Sequence, residues 1–279
     1  QGGDQSMPAT PFIDPDLIAG SLYSTPARIA ERTGALHAAK ISGGDATAAV
    51  VDLAASSAVP APRICDIGCG RGTTTLRLAT RLAPAQLIAV DQSRALLGTV
   101  AERLDDAGHS VRTVCADFHH LPLPDASIDI AVAANCLYHS ARPADVVAQI
   151  ARCLTAGGRA VLVTKSADSY RQIDELIAEA GLDPDAAARP SLYETFHGDT
   201  APGIVATSLR VEQVLRQQHV FRFAGLDQLA GYVDTSPKYH LPDRLAGSAG
   251  LLADEFRRRL RDRPVVATST VTYVKAVRP

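Results

Sequence analysis

Arg63-Ile-Cys-Asp-Ile67, then Gly68-Cys-Gly-Arg-Gly72, then Thr73-Thr-Thr-Leu-Arg-Leu-Ala79 form the stretch whose reading decides the fold. A short apolar run reads as a buried strand, glycines at alternate positions as a tight turn, and the residues after them as a helix. The next strand, Gln86-Leu-Ile-Ala-Val-Asp91, ends in a carboxylate about 20 residues past the turn, the offset at which a carboxylate can accept both hydroxyls of a ribose. Glycines there let a ligand lie against bare backbone at a helix N-terminus. Two readings survive at this level, a dinucleotide oxidoreductase and an adenosyl-cofactor enzyme.

Outward from that stretch the same rhythm continues. Ser93 to Ala107 reads as a helix, Val111 to Cys115 and Ile128 to Ala134 as strands, Pro143 to Leu154 as a helix and Gly158 to Thr164 as a strand. Strands alternating with helices predict a doubly wound, mostly parallel α/β sheet, and the continuous Val/Ile/Ala runs suit strands buried on both faces. Before it, residues 7–62 read as an N-terminal helical cap, with breaks at Gly20, Pro26 and Gly43-Gly44. After it, Ser169 to Ala180, Ala224 to Val233 and Leu245 to Arg261 read as helices, Arg189 to Gly203 as loop, and Val211 to Phe223 and Val265 to Val277 as strands. The division is therefore a scar of an expression tag at 1–6, a cap at 7–62 and a core at 63–279 that closes on an antiparallel C-terminal hairpin and carries a substrate-side insertion at about 167–262.

Composition narrows the function classes. The 279 residues carry 28 Lys+Arg against 30 Asp+Glu, a formal net charge of −2, which argues against a nucleic-acid binder held by charge. With 46% hydrophobic and 21% charged residues the chain can bury a core. No apolar run approaches the roughly 18 residues of a membrane span, and no secretory leader is visible, so a cytoplasmic location is expected. Five scattered cysteines suit buried thiols better than a disulfide framework, and no metal site is expected. The single basic cluster, Arg257-Arg-Arg-Leu-Arg261, lies among Asp254, Glu255 and Asp262 and reads as a solvated face.

Spacing separates the two cofactor readings. The dinucleotide fingerprint wants Gly-x-Gly-x-x-Gly, and its last position is Thr73 here. The segment Asp66 to Thr74 instead resembles the first motif of class I S-adenosylmethionine-dependent methyltransferases, and the resemblance covers residues 60 to 165 in the expected order. It implies a Rossmann-like methyltransferase fold, S-adenosyl-L-methionine as cofactor, and a cofactor site built from Asp66, Gly68, Cys69, Gly70, Asp91, Gln92, Ala116, Asp117, Phe118 and Asn135. Asp91 would hold the ribose and Gln92 pack beside it, with Asp117 and Phe118 clamping the adenine. Leu121 to Ile130 resembles the "LPFPDxSFDxV" stretch of members that act on small molecules, and Ile150 to Arg159 resembles the "RVLxPGG" turn.

The same resemblance puts Asn135-Cys-Leu-Tyr-His139 in the methyl-transfer pocket, with His139 the candidate base and Tyr138 a wall, although a histidine there is common across members with unlike substrates and serves structure more often than catalysis. Methyl transfer from a sulfonium requires chiefly orientation, so a base is optional. Tyr23, Arg28 and Arg32 of the cap are candidates to close over the cofactor, and Tyr193 to His197 and Ser236 to His240 to line the substrate mouth. The acceptor expected is a small molecule, methylated on O or N, in bacterial secondary metabolism. A nicotinamide oxidoreductase and a non-catalytic cofactor-binding scaffold remain the alternatives. Nothing in the sequence chooses between monomer and homo-oligomer.

Overall fold

The computed structural model describes residues 11–14, 26–56 and 59–279. Residues 1–6, Tyr23 and the side chains of Arg28 and Arg32 lie outside that set. Five parallel strands form the centre of an eight-stranded sheet: β2 (Arg63–Ile67), β3 (Gln86–Asp91), β4 (Arg112–Cys115), β5 (Ile128–Ala134) and β6 (Leu154–Lys165). In space they run β6-β5-β2-β3-β4, and every pair between neighbours is parallel. The sheet continues past β6 through β8 (Val265–Val277), β7 (Arg210–Phe223) and β1 (Lys40–Ser42), each antiparallel to its neighbour. The expected mostly parallel sheet and C-terminal hairpin are both present.

Side chains alternate between two cores because a strand's side chains alternate between faces. Cys65, Ile67, Ile88, Val90, Ala131 and Ala133 pack on one face against Val146, Val147 and Ile150 of α5 (Pro143–Cys153). Ile64, Leu87, Ala89, Ile130 and Val132 pack on the other. That second face is covered by α2 (Ala46–Ala55), α3 (Thr73–Leu82) and α4 (Arg94–Asp106), each contributing buried aliphatic residues. Residues 46–55 were expected within a cap, yet Val50, Val51 and Ala54 lie in this core, so α2 is one of the helices that cover the sheet.

Two further differences have local causes. β1 pairs with β7 through Lys40↔Phe221 and Ser42↔Val220, where a helical cap was expected, because three residues are too few to show a period. β6 begins at Leu154 instead of Gly158: Gly157 at φ 73° and a register shift against β5 let the chain bulge and keep pairing.

The segment between β6 and β8 contributes most of a third core. α6 (Arg171–Glu179), α8 (Leu226–Thr235) and α9 (Ala249–Arg259) bring together Ile173, Ile177, Leu229, Val233, Leu252 and Phe256 over the ends of β7 and β8, beside α1 (Pro26–Ala39). Within the segment expected as loop, Ala201–Val205 forms the short helix α7. The arginines of α9 are ion-paired: Arg257 with Asp227 and Asp254, Arg258 and Arg259 with Glu255. Among the described residues no helix is long and apolar enough to cross a membrane. Of the cysteines, Cys65, Cys69, Cys136 and Cys153 are buried, whereas Cys115 is exposed.

Candidate active site

Chain order reverses at β2, whose neighbours are β3 on one side and β5 on the other, and a doubly wound sheet opens a crevice at such a switch point. A cavity of about 1040 Å³ fills it. The C-terminal ends of the parallel strands, and the turns just beyond them, make its floor: Gly68, Cys69 and Gly70 after β2, Asp91 and Gln92 at β3, Ala116, Asp117 and Phe118 after β4, Asn135 after β5, and Lys165 at the end of β6. Nine of the ten residues that the resemblance assigned to the cofactor are therefore side by side. The exception is Asp66.

The turn after β2 needs its glycines for different reasons. Gly68 has φ 64°, and a Cβ there would stand 2.5 Å from the Cβ of Cys136. Gly72 caps α3 at φ 76°, against Val100. Gly70 has φ 54° and open space where a Cβ would point, so the bare backbone forms part of the cavity wall.

Asp91 fixes that wall. Its Oδ2 accepts from the Gly70 amide at 3.0 Å and its Oδ1 from the Ser93 amide at 2.9 Å. Each carboxylate oxygen has a second lone pair for a ligand hydroxyl. Burial pushes the carboxyl up, and the amides of Ser93, Gly70 and Gln92 pull it back. Asp66 is different: it is 1% exposed, lies beneath the turn and accepts from Thr75 Oγ1 at 2.6 Å. Strand alternation turns it from the cavity toward α3, so it ties β2 to the helix and does not line the pocket. Burial pushes it up to about 7, with the Thr75 bond opposing and the Asp91 charge adding.

Asp117 caps the turn Phe118–His120, accepting from the His119 amide at 2.9 Å and pairing with His119 Nδ1 at 2.7 Å. The His119 ring continues to Ser140 Oγ at 2.7 Å, so His119 braces the turn after β4 against the residues after β5. Burial raises Asp117, but the His119 bonds outweigh it and the carboxyl ends below its ordinary value.

Asn135 sits at φ 56°, a left-handed conformation that asparagine tolerates, and its Oδ1 is buried with no hydrogen-bond partner among the described residues. A buried amide oxygen without a donor marks a place where a ligand donor fits. His139 Nδ1 stands 2.8 Å from the Phe12 carbonyl. A carbonyl only accepts, so Nδ1 carries the hydrogen and, in the neutral ring, Nε2 is the basic nitrogen. Phe12 stacks on Tyr138 at 5.3 Å, and Tyr138 meets Tyr193 edge-on at 4.9 Å, giving an aromatic wall.

The segment between β6 and β8 extends this lining with Tyr170, Leu192, Tyr193, Tyr232, Ser236 and Pro237. Both loops singled out in the sequence reach it, through Tyr193 and through Ser236 and Pro237. The second loop is pinned from behind. Lys238 pairs with Asp174, Tyr239 donates to Asp174 Oδ1 at 2.9 Å, and Asp183 accepts from Arg189 and from the His240 amide. Sequence reasoning missed Phe12, Lys165, Tyr170 and Tyr232, none of which belongs to a local motif.

The donor set therefore fits an adenosyl ligand: a bare glycine turn, a carboxylate with spare lone pairs, an apolar ring slot at Ala116 and Phe118, and an unpartnered amide oxygen. Among the described residues no cluster of His, Cys, Asp and Glu could hold a metal ion.

Comparison with known proteins points the same way. A family described as a methyltransferase domain matches residues 65–162. A malonyl-[acyl-carrier protein] O-methyltransferase of Marinomonas is 33% identical over 120 residues, covering 43% of this chain and 43% of that protein. The 27-O-demethylrifamycin SV methyltransferase of Amycolatopsis mediterranei is 30% identical over 186 residues, covering 57% of this chain and 66% of that one. A solved structure from Bacillus halodurans, put forward as a methyltransferase, superposes with a TM-score of 0.60 at 15% identity over 85% of this chain and 100% of its own, a likeness of fold. The chain spans only 34% to 46% of the length of three of the curated relatives it matches.

Proposed function

We propose that this chain, which belongs to the class I S-adenosylmethionine-dependent methyltransferase family, methylates an oxygen or nitrogen atom of a small molecule in bacterial secondary metabolism. The observation that carries the proposal is Asp91 holding the Gly70 amide at 3.0 Å on a wall with room for a ligand. S-adenosylmethionine supplies a methyl group already activated on a sulfonium, so the protein's work is mainly to orient the partners and exclude water.

Asp91 binds the ribose hydroxyls, with Gln92 beside it. Asp117 accepts from the adenine amine while Ala116 and Phe118 flank the ring. Asn135 Oδ1 receives a donor from the amino-acid end, next to Gly68, Cys69 and Gly70. Asp66 acts through the turn it holds. Tyr138 walls the acceptor pocket, and where the acceptor atom carries a proton, His139 Nε2 receives it. The Nδ1 contact to Phe12 supports that role because it fixes the ring and its tautomer. Supporting a secondary metabolite as acceptor are the likeness to a rifamycin methyltransferase and the aromatic wall.

The test is calorimetric titration with S-adenosylmethionine, S-adenosylhomocysteine and NADPH. Binding of the two adenosyl compounds alone is expected, and binding of NADPH without them overturns the proposal. Asp91→Ala should weaken S-adenosylhomocysteine by about a hundredfold, as expected from two lost charge-assisted hydrogen bonds. Unchanged affinity would remove Asp91 from the site.

A further inference from the structure

The acceptor side of the cavity holds a cation that no carboxylate pairs with among the described residues. Lys165 ends β6, and its Nζ donates to the Tyr170 hydroxyl at 3.0 Å. The same Nζ stands 5.2 Å from the centre of the Tyr170 ring and 5.6 Å from that of Tyr193. Among the described residues no Asp or Glu forms an ion pair with it, whereas Lys238 is paired with Asp174. Burial pulls the lysine down, and the oxygens of Tyr170 and Tyr193 more than offset this, so its pKa is raised.

An ammonium on the cavity lining, set among phenols, presents its charge to whatever occupies the cavity. The second cation on the wall, Arg142, is already bound to Asp145 at 3.0 Å. Among the described residues of the lining, Lys165 is thus the cation that has no Asp or Glu in ion pair with it. Around it the wall is aromatic or apolar: Phe12, Tyr138, Leu192, Tyr193 and Tyr232. Such a pocket selects a molecule with one negative charge on an otherwise flat or apolar body.

We propose that Lys165, assisted by the Tyr170 hydroxyl, anchors a carboxylate of the acceptor, so that the substrate is a carboxylate-bearing aromatic or apolar small molecule methylated at another of its atoms. A phosphate monoester, with close to two charges, leaves one unmatched at a single ammonium. Pairing with Lys165 also makes the anchored carboxylate a poor nucleophile, which keeps anchoring and methyl transfer on separate atoms of the acceptor. The proposal rests on the reading of the chain as a small-molecule methyltransferase.

The test uses the full chain saturated with S-adenosylhomocysteine and three probes of one shape: benzoate, benzamide and phenyl phosphate. Binding is followed at millimolar concentration by ligand-observed NMR. Benzoate is expected to bind at least about tenfold tighter than benzamide, consistent with one desolvated charge-assisted contact, and tighter than phenyl phosphate. Lys165→Met should abolish that preference and leave S-adenosylhomocysteine affinity unchanged. Equal binding of benzoate and benzamide to the unaltered protein overturns the proposal without any variant. So does no detectable benzoate binding, a preference for phenyl phosphate, or a benzoate preference that survives in Lys165→Met. Failure of S-adenosylhomocysteine to bind the unaltered protein is a separate result and overturns the methyltransferase reading instead.

Discussion

Tyr170, Tyr193 and Tyr232 line two spaces, the large cavity and a chamber of about 10 Å³ on the side of α6, and each space has its own lysine. On the chamber side Lys238 is 8% exposed and paired with Asp174, whose other oxygen accepts from Tyr239. On the cavity side Lys165 has the Tyr170 hydroxyl and two ring faces, and among the described residues no carboxylate pairs with it. Lys238 is matched by the protein itself and fixes the loop that carries Ser236 and Pro237 to the cavity mouth. Lys165 is left to be matched by something else. A buried charge with its partner in the chain is architecture, and one without it is an offer to a ligand.

The sharpest way to break the comparison is to remove one member of the matched pair. Asp174→Ala or Lys238→Met leaves a buried charge uncompensated and should cost about 3 to 5 kcal/mol in denaturant unfolding. The double variant Asp174→Leu with Lys238→Met should recover most of that loss, since both charges leave together. A double variant as unstable as the singles would show that the pair acts through shape and not charge.

Asp66 extends the contrast to a buried acid whose partner is a hydroxyl. Its folded pKa of about 7 lies above the ordinary value of 3.8, so the folded protein keeps the proton while the unfolded chain loses it. Its contribution is full below about pH 4 and is lost as pH rises to about 7. The stability difference between the unaltered protein and Asp66→Asn should therefore shift against the unaltered protein by roughly 3 kcal/mol over that range. A pH-independent difference would mean that Asp66 is already ionised under the turn.

Legibility in the sequence divides along the same line. That the motif residues would line one cavity was legible because they sit at strand ends, beside glycines whose spacing is itself the signal, and a parallel sheet gathers those ends into one crevice. Asp66 belongs to that motif, but side-chain alternation along β2 sends it to the other face. The acceptor side was legible only as two polar-aromatic loops. Lys165 closes an apolar strand and carries no pattern; what makes it chemical is the arrival of Tyr170 and Tyr193 from the insertion. Phe12 reaches Tyr138 and His139 only through the tertiary fold. The apolar face of α2 was visible as hydrophobic content, but not the sheet face it would cover.

If Lys165 is not structural, replacing it should matter little to folding. Lys165→Met is expected to change unfolding free energy by no more than about 1 kcal/mol, because a desolvated cation is lost along with its bond to Tyr170. A loss as large as that of Lys238→Met would collapse the distinction between the two lysines.

The smallest expected effect reads the Lys165 charge directly. His219 on β7 is 4% exposed, and its pKa is pushed down to about 4, first by burial and then by the charges of Lys40 and Lys165. Stability linked to His219 is thus present above its ordinary value near 6.5 and lost as pH falls toward 4. In Lys165→Met one of the two cations is gone while burial remains, so the His219 ring should titrate higher but still below 6.5, as followed by NMR of its ring protons. An unmoved His219 would mean that Lys165 carries no charge toward the interior at neutral pH. The acceptor carboxylate would then have nothing to meet, even if every distance around Lys165 is right.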